Sequence, residues 1–118
     1  MRIYLRKDVI VPVIPIEEIS LLHNNVCQAV NDPKRIQILY ALSDQPLNVH
    51  TLAALLDTPQ PTVSRHLSIL RQRALVETER DGTTVVYRLA HPRLIEVLDL
   101  MRDILRESLE RQSGLLDQ

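Results

Sequence analysis

Apolar positions along the chain change period three times. Residues 1–14 alternate loosely, with Ile3 and Leu5 followed by Val9, Val11 and Val13, and predict an extended or poorly ordered arm. From Ile16 the spacing becomes three to four (Ile16, Ile19, Leu22, Val26, Val30), the period of an amphipathic helix. Asn31-Asp32-Pro33 closes it and opens the next, with Asp32 as N-cap and Pro33 at the first helical position. The second helix carries Ile36, Leu39 and Leu42 on one face and stops near Ser43-Asp44-Gln45-Pro46. A third, short helix follows an Asn48 cap and uses Leu52, Leu55 and Leu56. A fourth begins after Thr58, with Pro59 in its first turn, and buries Val63, Leu67 and Leu70.

Beyond it the pattern turns to strand. Leu75 to Arg80 and Thr83 to Leu89 are rich in Val, Thr and Tyr, and Asp81-Gly82 lies between them. That dipeptide predicts a hairpin, because a tight turn needs positive φ and glycine supplies it without a steric cost. The last element, from about His91 to Gln112, repeats Leu94, Val97, Leu98, Met101, Ile104, Leu105 and Leu109. So long a stripe is more than a helix lying on a small core requires. The expected order is α-α-α-α-β-β-α, mainly helical with a β-hairpin, which is the winged helix-turn-helix layout. Its expected divisions are an arm at 1–14, one folded domain at 15–112 and a tail at 113–118.

Composition narrows the class. Hydrophobic residues are 45% of 118, but Phe and Trp are absent, so Leu, Ile and Val must build the core with Tyr4, Tyr40 and Tyr87. One cysteine, Cys27, excludes an intrachain disulfide framework and fits a reducing compartment. No apolar run approaches the roughly 18 residues of a membrane span, and Met1 to Pro15 has no cleavage-site pattern. A cytoplasmic protein without membrane contact is expected. An enzyme is not: the chain has two glycines, no phosphate loop and no nucleophile elbow. No cofactor is expected either.

The third and fourth helices carry the chemistry. The fourth leaves Gln60, Thr62, Ser64, Arg65 and Ser68 off its buried face. A recognition helix needs that division, with one side to hold it and short polar or planar donors to reach base edges. Gln pairs bidentately with adenine and Arg with guanine, while Ser and Thr contact bases or phosphates. His66 is either a packing or a phosphate-contacting residue. The competing reading is an ordinary solvated helix face, and the hairpin immediately downstream weighs against it. Net charge is only −1, yet residues 60–93 hold Arg65, Arg71, Arg73, Arg80, Arg88 and Arg93 against Glu77, Glu79 and Asp81, while residues 94–118 carry the opposite excess. The positive part coincides with the candidate reading helix and hairpin. Its surplus is small, so hydroxyls, backbone N–H groups and the helix N-terminus must share the phosphate contacts.

Three stretches in order, Asn31 to Leu39, Gln60 to Leu70 and Asp81-Gly82 with Val86-Tyr87-Arg88-Leu89, resemble the ArsR/SmtB family of bacterial and archaeal repressors. The resemblance covers about residues 20–110. It implies a homodimer through the first and last helices, which assigns Ile19, Leu22, Val26, Leu94, Leu98, Met101 and Leu105 to the interface. It also implies double-stranded DNA as partner, with the fourth helix in the major groove and the hairpin tip on the minor groove or backbone. The DNA set is then Gln60, Thr62, Ser64, Arg65, His66, Ser68 and Arg71, with Arg80 and Thr83 on the wing. Pro59 departs from the family's small polar residue before Gln60, so Thr58 is expected to take the cap.

Metal sensing, the family's best-known property, is where the sequence departs. The positions matching the thiolate pair of the third helix are Asn48 and His50, and those matching the last-helix site are His91, Arg93, Ile104 and Glu107. Neither set keeps its ligands. His23 and Cys27, four apart on one face, are weak metal candidates that could make a two-His, two-Cys set across a dimer. The alternative is that Cys27 is a small buried hydrophobe and His23 a surface or interface residue. Two functional rivals stay open, a winged helix serving only protein–protein contact and a repressor sensing redox or metal through Cys27. The inducer is not legible.

Overall fold

The computed structural model describes residues 2–5 and 9–116, with side chains described for 13–114. Strands β1 (Arg2–Leu5) and β2 (Val9–Pro12) pair antiparallel, Ile3 opposite Val11. The expected arm is thus extended, and its two halves are paired with each other. Helix α1 (Ile16–Leu22) then runs into a π-helical turn, His23–Cys27, closed by Gln28 N–H to the His23 carbonyl at 2.9 Å. The single regular helix expected over Ile16–Val30 therefore changes winding at His23.

Helix α2 (Pro33–Ala41) starts as its sequence demands. Pro33 sits at N1 and the Asp32 carboxylate accepts from the N–H groups of Lys34 (2.8 Å) and Arg35 (3.4 Å). Its buried face is Ile38 and Leu39, continued by Leu42, while Ile36 is only half-buried. Strand β3 (Leu47–Asn48) leads into α3 (Val49–Leu55), where the Asn48 side chain accepts from Thr51 N–H at 2.8 Å. Leu52 and Ala53 are buried, but Leu55 is 63% exposed, against the expectation that it packs inward. Helix α4 (Gln60–Gln72) follows, and strands β4 (Val76–Asp81) and β5 (Thr84–Leu89) form the hairpin. Asp81 faces Thr84, so the turn is Gly82-Thr83, one residue later than expected. Only Gly82 there has positive φ (67°), the pattern of a type II′ turn. Strand β3 adds to β5 through Leu47 opposite Tyr87, giving the sheet order β3-β5-β4.

Helix α5 runs Arg93–Leu116, starting after Pro92 rather than at His91. Gly114 lacks the left-handed backbone that would close the helix, so the tail expected from 113 is helical as far as Leu116. The core joins Ile38, Leu39, Leu42, Leu52, Val63, Leu67, Leu70 and Val76 from α2, α3, α4 and β4. From α5 it takes Leu98, with Leu94 and Ile95 packed beside it. Leu98 is 4% exposed in the protomer, so its expected place in a dimer seam is corrected: it is core. No helix among the described residues is long and apolar enough to cross a membrane.

Candidate nucleic-acid interface

Helix α4 is held by its own buried side and by two left-handed turns. At 100° per residue, Val63, His66, Leu67 and Leu70 share one arc, and all four are buried. Gln60, Arg71, Ser64, Ser68 and Arg65 follow on the next arc, from about 60° to 200° round from Val63, and all are exposed. Thr62 lies at the edge, half-buried. His66 thus departs from the DNA set in which the sequence placed it, because it is 7% exposed and faces α2. The α3–α4 turn passes through Asp57 (φ 48°), with Thr58 N–H bonded to the Ala53 carbonyl and Asp57 N–H to that of Ala54. That is a Schellman closure with aspartate in the glycine position. The same closure ends α4 at Ala74 (φ 60°), whose N–H reaches Arg71 while Leu75 N–H reaches Leu70, and it sends the chain into the wing.

The start of α4 differs from expectation. Pro59 (φ −57°, ψ 140°) is itself the N-cap and makes no side-chain cap bond, while the Thr58 hydroxyl donates back to the Leu56 carbonyl at 2.8 Å. The amides of Thr62 and Val63 are both taken by the Pro59 carbonyl, and Pro61 has no N–H. Only the Gln60 amide is left in the first turn, so this helix end offers little to a phosphate.

Two contacts escaped the sequence reading. The Gln60 side-chain amide donates to His50 Nδ1 at 3.0 Å, tying the first residue of α4 to α3. That bond uses one of the two amide hydrogens of Gln60 and leaves its carbonyl oxygen unused. The Arg35 guanidinium reaches His66 Nδ1 at 3.3 Å. Burial pushes the His66 imidazole below its ordinary value, and the charges of Arg35, Arg65 and Lys34 add to that against the pull of Asp32. Asp32 itself resists its burial and titrates below the usual carboxylate range, because the N–H groups of Lys34 and Arg35 and the charges of His66 and Arg35 favour the anion. On the wing, Arg88 is paired with Glu77 (3.0 Å) and Glu79 (3.2 Å). Arg65, Arg71, Arg73 and Arg80 make no ion pair among the described residues. Arg80 and Thr83 are both exposed beside the wing turn.

The residues present do not fit a metal at the positions the resemblance points to. Asn48 is occupied as a cap, His50 is bonded to Gln60, Arg93 is cationic and Ile104 apolar. No cluster of three His, Cys, Asp or Glu occurs among the described residues. Cys27 is exposed in the protomer, which corrects its reading as a buried hydrophobe, and it lines a groove with Leu22, Val26, Leu94 and Met101. His23 is also exposed, with Nδ1 3.3 Å from Asn24 Oδ1.

The profile of the bacterial regulatory protein arsR family matches residues 32–78, from the α2 cap into β4. The HTH-type transcriptional regulator KmtR of Mycobacterium tuberculosis is 45% identical over 64 residues, 54% of this chain and 49% of that protein. The HTH-type transcriptional repressor SmtB of Mycobacterium tuberculosis is 38% identical over 87 residues, 74% of this chain and 64% of that one. These matches span about half to two-thirds of the relatives' lengths. Among solved structures, a homodimeric winged helix-turn-helix DNA-binding domain of Mycobacterium bovis, described as a possible ArsR-family regulator, superposes with a TM-score of 0.71 at 27% identity. That match covers 81% of this chain and 88% of the other. With sequence matching the layout from helix cap to wing, the chain belongs to the ArsR family of bacterial regulatory proteins and has its winged helix-turn-helix fold.

Proposed function

We propose that the protein is a transcriptional repressor that binds a palindromic DNA operator as a homodimer. One observation carries this reading: α4 is rooted by Val63, Leu67 and Leu70 and turns Gln60, Ser64, Arg65, Ser68 and Arg71 outward on a single arc. Arg65 and Gln60 read base edges, Ser64, Ser68 and Thr62 contact bases or phosphates, and Arg71, Arg80 and Thr83 hold the backbone. Footprinting on the DNA upstream of its own gene tests this. Arg65→Ala should cost about 1–3 kcal/mol on the operator and relax base preference at one position per half-site, whereas Arg80→Ala should weaken all sequences alike. Unchanged operator and random-DNA affinities in Arg65→Ala and Gln60→Ala would remove α4 as the reader.

The surface supports the dimer. The protomer exposes 8968 Å², about 2,400 Å² more than the roughly 6,600 Å² of a compact monomer of this mass. Its radius of gyration is 19.0 Å, against about 13–14 Å for a globular chain of this length. Exposed Ile19 and Leu22 on α1, and Val97, Met101, Ile104 and Leu105 on α5, are the apolar surface a second copy would cover. The half-buried Val26 and Leu94 would border that contact. Met101→Asp with Leu105→Asp should give folded monomers in sedimentation, since burying unpaired charge in an apolar seam is costly.

A further inference from the structure

We propose that Arg35 is a positioning residue that holds the reading helix to the segment following α1, acting through His66 as a proton-sensitive latch. The inference rests on α4 being the DNA reader. Arg35 stands in the first turn of α2, and each of its three nitrogens bonds one acceptor, the three coming from two other parts of the chain. Nε donates to the Ala29 carbonyl, Nη2 to the Gln28 carbonyl at 3.2 Å, and Nη1 to His66 Nδ1 at 3.3 Å. Gln28 and Ala29 directly follow the π-helical turn that ends at Cys27. His66 follows Arg65 on α4. One planar group therefore fixes the spacing between the α1 side of the molecule and the reading helix, which a flexible ammonium in its place would not do.

The bond to His66 has only one direction. A guanidinium has no acceptor, so Nδ1 must present a lone pair and the ring proton must lie on Nε2. Protonating Nδ1 removes that acceptor and places a second cation against Arg35. The groups facing the imidazole are Asp32, Lys34 and Arg35 from the start of α2 and Arg65 on its own helix. Burial disfavours the charged ring against the pull of Asp32, and the three cations act in the same direction as burial, so the site favours the neutral form. Acid therefore opens the latch and frees α4 to shift, with no change in the residues that touch DNA.

The test uses the full chain with Arg35→Lys and His66→Asn, each checked as folded by circular dichroism. Arg35→Lys keeps the charge and loses the fork, while His66→Asn keeps an acceptor near Nδ1 that does not titrate. In DNA-free protein, amide exchange across α4 should quicken in Arg35→Lys at pH 7.5. After correction for the intrinsic slowing of exchange in acid, it should also quicken in wild type, but not in His66→Asn, on going to pH 5.5. With DNA, Arg35→Lys should lose about tenfold on the operator at an unchanged random-DNA affinity and salt slope. The acid-induced loss of operator affinity should shrink in His66→Asn, a difference from wild type that cancels the contributions of His23, His50 and His91. Unchanged α4 exchange in Arg35→Lys would overturn the proposal, as would parallel pH profiles in wild type and His66→Asn. An Arg35→Lys variant that binds operator and random DNA as wild type does would make Arg35 a simple charge contact and overturn it too. If α4 exchange responds as stated while wild type prefers no DNA sequence, the latch stands and the DNA-reading proposal fails.

Discussion

Ala74 closes α4 in the left-handed region, φ 60°, with a β-carbon where glycine is the usual occupant. An L-residue there costs about 1–2 kcal/mol from the clash of Cβ with the neighbouring carbonyl. Ala74→Gly relieves that strain but gives the unfolded chain more freedom, which offsets about 0.4–1 kcal/mol. Ala74 is exposed, so losing the methyl leaves no cavity. The net expectation is a stabilisation of about 0.5–1 kcal/mol, or roughly 2–5 °C in Tm for a chain of this length. Differential scanning calorimetry and urea titration at one matched protein concentration would measure it, since assembly makes Tm concentration-dependent. Asp57→Gly should gain less, because aspartate visits the left-handed region more readily. A fall in Tm for Ala74→Gly, or a larger gain at Asp57, would refute the strain argument.

Other outcomes follow from burial and titration. Leu98→Ala should destabilise by about 2–5 kcal/mol in chemical denaturation by opening a core cavity, unlike the aspartates at Met101 and Leu105, which should act on assembly. The depressed imidazole of His66 makes stability pH-dependent with a definite sign. Its contribution is complete above about pH 6.5, the ordinary value. Stability declines as pH falls below that, because the unfolded chain binds the proton first, and the decline ends once the folded ring protonates. Urea midpoints of wild type between pH 7.5 and 5.5 should therefore fall more steeply than those of His66→Asn. Stoichiometric Zn(II), Cd(II) or As(III) should leave operator binding unaltered in anisotropy titrations, and so should chelators. A metal that releases DNA from the Cys27→Ser variant would show that the ligand positions have been misassigned.

Local chemistry was legible along the chain because its causes lie within a few residues. Asp32 and Asn48 cap their helices, Pro33 starts one, and Val63, Leu67 and Leu70 repeat at helical spacing; each works through backbone a turn away. The wing was legible for the same reason, since Gly82 supplies the turn. Its register shifted by one residue because strand pairing, which brings Asp81 opposite Thr84, outranks the dipeptide signal. Strand β3 has only two residues, too few to show a period, and exists because β5 offers an edge to Leu47 and Asn48.

What tertiary structure alone decided was which apolar and polar side chains meet across the chain. Leu98 and Met101 are three residues apart on one apolar stripe, and the periodicity could not separate them. The core reaches the first and stops short of the second, so Leu98 is buried while Met101 is 55% exposed. On α2 the expected Ile36 is only half-buried while its neighbour Ile38 is buried, and on α3 Leu55 is turned out. His66 read as a polar residue on a reading helix and is instead held inward by Arg35, 31 residues earlier. Gln60 and His50 meet because α3 and α4 are folded against each other. Sequence spacing determines the faces of each helix, since side chains project at a fixed angle per residue. Which part of a face is covered depends on where the neighbouring elements end, and that is set only when the whole chain packs.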